Sequence, residues 1–275
     1  MAHAGSSHTR GRLKFLADLE SPLVYVPSKG GGDTTEHLGN FTELEVDVHN
    51  AREALPSTSL DREGFMLLQH DSSVRDFYDD EQLSGTYHAE ISAFIMATTG
   101  ARRVEVFDDT RRSSSLAQQR DRGIREPANI VHNDYTAASG PRRLRDHFAS
   151  SPQETERLEG RRFAIINAWR PLAAPVLDQP LVLCDATTVN PEDLVSVERR
   201  AEERVGELQV ALFKPDQCWY YFPRMQLDEV LLFKTFDSAT DGRTRFTLHS
   251  SFRDPGAPDD APARESLETR CLVFF

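Results

Sequence analysis

From Phe163 to the last residue the chain breaks into short runs of Val, Ile, Leu, Phe and Tyr, most of them bounded by Pro, Gly or Asp. The runs are Phe163–Trp169, Leu181–Cys184, Leu208–Phe213, Trp219–Phe222, Val230–Phe236, Phe246–Phe252 and Ser266–Phe275. β-Branched and aromatic residues between turn formers specify strands. Strands spaced this closely must pair into a sandwich or a closed barrel. No internal repeat is evident. Upstream, Glu43–His49 alternates apolar and polar residues, and Asp61–Leu68 reads as a turn entering a strand. Val104–Phe107 alternates too, and the polar stretch after it, Asp108–Arg125, reads as a surface loop with the composition of a mobile lid.

Helical spacing is confined to a few places. Leu83, Tyr87, Ile91 and Ile95 recur every four residues within Asp79–Thr98, Phe94 widens the stripe, and Gly100 stands where a C-terminal cap belongs. This helix is expected on the outside of a sheet, with His88 and Glu90 solvated. Gly140-Pro141 opens a second helix running to Phe148. Ser151-Pro152-Gln153-Glu154 carries a capping-box pattern for a third. Residues 1–40 read as a partly ordered N-terminal arm, with Gly30-Gly31-Gly32-Asp33 as a flexible loop. Residues 41–275 read as one domain.

The charge balance narrows the partners. With 44 acidic and 32 basic residues the formal net charge is −12, which argues against nucleic acid. No run approaches the length of a membrane span, and Met1–Arg12 has no apolar segment of a secretory signal. Cys184, Cys218 and Cys271 have neither zinc spacing nor the even count of a disulfide framework. Reduced thiols in a cytoplasmic monomer or homodimer are expected.

Within Ile130–Thr136, read as a strand, His132 and Asp134 share one face and Asn133 takes the other. An imidazole and a carboxylate so placed are two legs of a 2-His-1-carboxylate triad, which holds Fe(II) and leaves coordination positions open. The third leg must come from a distant strand. His249, in Thr247-Leu248-His249-Ser250, can supply it only through tertiary structure. If Arg264 begins the last strand, Arg264, Ser266, Glu268 and Arg270 share a face, opposite Leu267, Cys271, Val273 and Phe275. Buried, that polar face suits a dicarboxylate, which Arg264 would fork and Ser266 would bond. Exposed, it is an Arg–Glu ladder on an edge strand.

Longer motifs carry a resemblance. They are Asn167-Ala168-Trp169-Arg170-Pro171-Leu172, Leu183-Cys184-Asp185-Ala186, Trp219-Tyr220-Tyr221-Phe222-Pro223-Arg224-Met225, Asp228 to Lys234 and Arg264 to Arg270. In this order, with His132-x-Asp134 and His249, the chain from about Asp61 onward resembles the AsaB-type hydroxylase/desaturase family of non-haem Fe(II)/2-oxoglutarate-dependent oxygenases, which includes a gibberellin desaturase and a cephamycin methoxylase component. Asn133 departs from the apolar residue expected between the ligands. The resemblance implies a mainly β fold with flanking helices and a double-stranded β-helix (jelly-roll, cupin-like) core from about residue 103. It implies iron on His132, Asp134 and His249, and 2-oxoglutarate on Arg264 and Ser266, with Arg270 as the alternative anchor. It further implies hydroxylation, desaturation or oxidative cyclisation of a small molecule in secondary-metabolite biosynthesis, with O2 as cosubstrate. Asn167, Trp169, Tyr220, Tyr221 and Arg111 or Arg112 are candidates to meet the substrate. The alternatives are an iron oxidase that needs no 2-oxoglutarate and a non-enzymatic jelly-roll binding protein.

Overall fold

The computed structural model describes residues 8–20, 22–55, 57–201 and 204–275; residues 1–7 of the expected arm lie outside the described residues. In chain order the strands are β1 (His8–Leu16), β2 (Val24–Val26), β3 (Glu36–Leu38), β4 (Phe41–Asn50), β5 (Phe65–Gln69), β6 (Arg103–Ser113), β7 (His132–Asn133) and β8 (Phe163–Pro171). They continue as β9 (Leu181–Cys184), β10 (Leu194–Ala201), β11 (Arg204–Ala211), β12 (Trp219–Tyr221), β13 (Glu229–Asp237), β14 (His249–Ser251) and β15 (Glu265–Phe274). A large sheet runs β1-β4-β12-β9-β14-β7-β11-β10-β2-β3, and a small one runs β5-β13-β8-β15-β6. From β6 to β9, and again from β13 to β15, the chain switches sheet at every step. This alternation is that of a double-stranded β-helix, the jelly roll.

Strand period sorts the core. β8 and β13 are buried along their whole length in the middle of the small sheet. Ala164, Ile166, Ala168, Val230 and Leu232 face the helical side, while Trp169, Leu231 and Phe233 belong to a separate cluster with Phe65 and Leu183. The helical layer begins at Asp80–Gln82, passes through a π-turn at Leu83–Tyr87 and continues over His88–Thr99. It buries Leu83, Tyr87, Ile91 and Ile95 on the small sheet and ends at Gly100, whose left-handed φ of 72° suits glycine. His88 and Glu90 are not left to solvent. His88 Nε2 lies 2.6 Å from Asp109 Oδ2, and Glu90 accepts from Ser72 Oγ and from the Ser73 N–H at 3.0 Å. No helix among the described residues is long and apolar enough to cross a membrane.

Three other parts differ from the sequence expectation. Residues 8–16 are strand rather than loose arm: β1 pairs with β4 from His8↔His49 to Leu16↔Phe41. Leu13 and Phe15 face inward, and the Phe15 ring stands edge-on to Trp219 at 5.7 Å. Sheet therefore begins well before residue 103. Asp108–Ser113 continues β6 rather than forming a lid, because β15 supplies matched polar partners: Arg270 faces Asp108, Glu268 faces Thr110 and Ser266 faces Arg112. The helix Leu116–Arg122, capped by Ser115, follows. At Pro152–Glu159 the capping box does not form, since Glu154 is taken by Arg103 and Arg157.

Asn133 explains how a two-residue strand is held. It is fully buried; its Nδ2 reaches Tyr135 O at 2.6 Å, Gln209 Oε1 at 3.1 Å and Thr235 O at 3.1 Å. Its Oδ1 accepts from the Thr247 N–H at 3.3 Å. The side chain thus ties β7 to β11, to the approach of β14 and, across the core, to β13. A polar residue is required where an apolar one was expected, because Leu or Val would strand these groups. Asn133→Ala is expected to lower the unfolding free energy by about 2–4 kcal/mol, the cost of leaving one or two buried groups unpaired. Urea denaturation followed by fluorescence measures it, and a loss within a few tenths of a kcal/mol would contradict the role.

Candidate active site

β7 and β14 are neighbours in the large sheet, with His132 directly opposite His249. The two rings lie 4.3 Å apart, both buried. Each Nδ1 is occupied by a backbone carbonyl two residues earlier, His132 by Ile130 at 2.9 Å and His249 by Thr247 at 3.0 Å. That fixes both rings and leaves each Nε2 for the interior. Asp134 follows β7, with Oδ1 3.7 Å from His132 Nε2. One ligand atom from each of the three residues lies within 4.8 Å of the others, so the set could hold a metal ion.

The environment settles the charge of each group. Burial, with His249 beside it, pushes His132 down to about 4, and burial lowers His249 as well. Both imidazoles are therefore neutral and carry a free lone pair, the form a metal needs. Burial alone would raise Asp134, but the Arg270 cation, helped by the hydrogen bond from Asn167, outweighs it and holds the carboxyl well below the usual range. Arg270 Nε donates to Asp134 Oδ2 at 3.1 Å, and Asn167 Nδ2 donates to the same oxygen at 2.8 Å. Oδ1 is the oxygen left facing the imidazoles.

Arg264, immediately before β15, and Arg270 within it differ. Arg270 is saturated: besides Asp134 it reaches Asp108 Oδ2 at 2.6 Å, Thr110 Oγ1 at 2.9 Å and Glu268. Arg264 is 3% exposed, and its side chain has one hydrogen-bond partner, Gln179 O at 2.7 Å. Among the described residues its Nε has none, nor has the buried Ser266 Oγ. Burial, with Arg112 close by, pushes Arg264 down to about 9 against the pull of Glu268 and Asp178, neither of which forms an ion pair with it. Its guanidinium lies 5.5 Å from the Trp169 ring. Arg264 and Trp169 share a small cavity with His132 and His249. A larger cavity, about 220 Å³, is lined by His132 and Asp134, with Tyr25, Phe107 and Arg125 in its wall.

The remaining candidates divide. Asn167 and Trp169 do share the inward face, but Asn167 serves Asp134. Strand alternation turns Arg112 inward opposite Ser266 and Arg111 outward opposite Leu267. Arg111 is occupied by Phe77 O and Asp80 Oδ1, both at 2.7 Å. Tyr221 packs on Phe252 with its hydroxyl 3.4 Å from Asp254, and Tyr220 packs on His49 and Phe65, so neither lines these cavities. Sequence reading missed Tyr25, Arg125 and Arg199, all in the larger cavity's wall. Only the alternation of β6 could have separated Arg112 from Arg111.

A family model described as an oxidoreductase/YMDC permease-like domain matches residues 13–274. The Fe(II)/2-oxoglutarate-dependent dioxygenase nvfI of Aspergillus novofumigatus is 34% identical over 267 residues, covering 94% of this chain and 92% of that protein. The hydroxylase/desaturase CTB9 of Cercospora beticola is 33% identical over 267 residues, covering 89% and 81%. The solved structure of the iron and alpha-ketoglutarate-dependent endoperoxidase NvfI superposes with a TM-score of 0.83 at 30% identity, over 98% of both chains.

Replacing Arg270 tests the electrostatics of this cluster. Arg270→Met leaves the Asp134 and Glu268 carboxylates buried without their cation. Metal-free protein is expected to lose about 3–5 kcal/mol of stability. Saturating Zn(II), itself a cation against Asp134, should restore more stability to the variant than to the wild type. Equal metal effects in chelator-paired denaturation curves would refute the coupling.

Proposed function

This chain belongs to the family of Fe(II)/2-oxoglutarate-dependent dioxygenases and hydroxylase/desaturases, and from that premise we propose which of its residues carry the reaction. His132, Asp134 and His249 bind the iron. Arg264 and Ser266 bind the distal carboxylate of 2-oxoglutarate. One observation supports the second assignment: Arg264 Nε and Ser266 Oγ are buried polar atoms without partners among the described residues, and Arg264 shares a cavity with His132 and His249. Buried donors are rarely left so, and a carboxylate satisfies both. Arg270 has no capacity to spare and works instead on Asp134.

When bound, iron would activate O2, the oxidant, with two electrons from decarboxylation of 2-oxoglutarate to succinate and two from the substrate's oxidation. The chain's residues orient and insulate. The fixed Nδ1 contacts of the histidines hold both Nε2 atoms inward. Asn167 and Arg270 hold one oxygen of Asp134 and so aim the other. Trp169 walls the Arg264 side and keeps it dry, which strengthens a guanidinium–carboxylate pair. We read the substrate as a small molecule of secondary metabolism, as the names of relatives such as the aspirochlorine biosynthesis protein N of Aspergillus oryzae suggest for their own pathways. The three unpaired cysteines support a cytoplasmic place of work.

Arg264→Ala is expected to weaken 2-oxoglutarate binding roughly a hundredfold or more, since truncating one partner of a buried ion pair costs about 3–5 kcal/mol. Ser266→Ala should cost about 1 kcal/mol. His249→Ala should abolish stoichiometric Fe(II) binding. Titrating the anaerobic Fe(II) protein with 2-oxoglutarate, followed by its metal-to-ligand charge-transfer absorption, reads the first two. Loss of the band in Arg270→Met but not in Arg264→Ala would reverse the assignment.

A further inference from the structure

The wall of the larger cavity holds more positive charge than the iron centre uses. Arg112, Arg125 and Arg199 all line it, and none forms an ion pair among the described residues. Arg112 Nη1 donates to a backbone carbonyl, that of Glu126, at 2.7 Å. Arg112 and Arg125 are backbone-paired as an isolated parallel bridge, and Arg199 on β10 pairs with Tyr25 on β2. Their nearness shows in Arg125, which burial, and then the charges of Arg112 and Arg199, push below its ordinary value.

The carboxylates around them are all engaged elsewhere. Asp108 and Asp134 are held by Arg270. Glu207 accepts from Thr136 Oγ1 at 2.8 Å. Glu126, next in the chain to Arg125, turns away and accepts from Ser28 Oγ and Thr35 Oγ1, each at 2.6 Å. A chain with 44 acidic residues has no shortage of counter-charge, yet Arg112, Arg125 and Arg199, with Arg142 and Arg143 in the same wall, form no ion pair among the described residues, an arrangement suited to an anion. The 2-oxoglutarate pocket does not account for it, because Arg264 lies in the smaller cavity and, of the arginines, Arg112 is the one that lines both. Beside the arginines, Tyr25, Phe107 and Leu208 offer apolar wall for an organic body.

We propose that the substrate is an organic acid whose carboxylate is bound by Arg112, Arg125 and Arg199, which places its carbon skeleton beside His132 and Asp134. The proposal rests on the iron and 2-oxoglutarate reading above for what the bound molecule undergoes, but the anion site itself does not depend on it. Guanidinium forks suit a carboxylate. An overall negative protein with a positive cavity also draws such a molecule to that cavity alone.

The probe is 4-(trifluoromethyl)phenylacetate, compared with its methyl ester by fluorine NMR titration of the Zn(II)-loaded protein in saturating 2-oxoglutarate. The acid is expected to bind at least about tenfold more tightly than the ester, as loss of a charged partner implies. Arg125→Gln and Arg199→Gln should each weaken the acid about five- to tenfold and leave the ester unchanged. Arg264→Ala should leave acid binding intact while weakening 2-oxoglutarate. Equal binding of acid and ester, binding of neither, or an unchanged acid affinity in the Arg125→Gln/Arg199→Gln double variant overturns the proposal. So does loss of 2-oxoglutarate binding in Arg125→Gln with retention in Arg264→Ala, which would make the cluster the cosubstrate site. If the charge-transfer band never forms in wild-type protein while the acid still binds through Arg125 and Arg199, the iron reading fails and the anion site stands.

Discussion

Two histidines facing each other across a single ladder position set the terms for the rest of this molecule. His132 and His249 meet because β7 and β14 are adjacent and in register there. A slip of one residue would turn either imidazole to the other side of the sheet. Yet β7 is two residues long and β14 three, too short to fix their own register by ladder bonds. Asn133 supplies what they lack, by engaging β11, the approach to β14 and β13 at once. The polar residue between His132 and Asp134 is thus the reason His132 meets His249 in register.

The second constraint is charge in a dry interior. β6 and β15 turn a polar ladder inward, and almost every group on it is paired. Arg264, immediately before β15, and Arg270 within it do opposite things. Arg270 is closed among carboxylates and keeps Asp134 ionised; Arg264 is dry and short of partners. Residue type and spacing are the same for both, and the difference lies wholly in what β6 brings opposite each: Asp108 and Thr110 near Arg270, Arg112 near Arg264.

That contrast explains what the sequence could and could not disclose. Strand period alone placed His132 with Asp134 and aligned Arg264, Ser266, Glu268 and Arg270, because both are local rules. The outer helix and its glycine cap were legible for the same reason. Pairing partners were not. His8–Leu16 reads as an arm until Phe41–Asn50 is laid beside it, and Asp108–Ser113 reads as a loop until β15 neutralises it. Arg111 and Arg112 are indistinguishable until the register of β6 is known. Tyr221 sits in a conspicuous aromatic motif, but that motif builds core behind the large sheet, away from the cavities.

The cavity is built from two kinds of material. Its floor, with His132 and Asp134, belongs to strands in the middle of the sandwich, locked by neighbours on both sides. Its outer wall belongs partly to β2, a three-residue strand that meets β10 at only two positions, Val24↔Glu198 and Tyr25↔Arg199. Beyond it lies only β3, at the sheet's edge. Val24 and Tyr25 are buried all the same, so this border ribbon is held by packing more than by ladder bonds. One wall of the cavity can therefore shift with the edge of the sheet while the floor, paired on both sides, keeps its place, so the cavity's width and the geometry of the His132, Asp134 and His249 cluster are set by different parts of the sandwich.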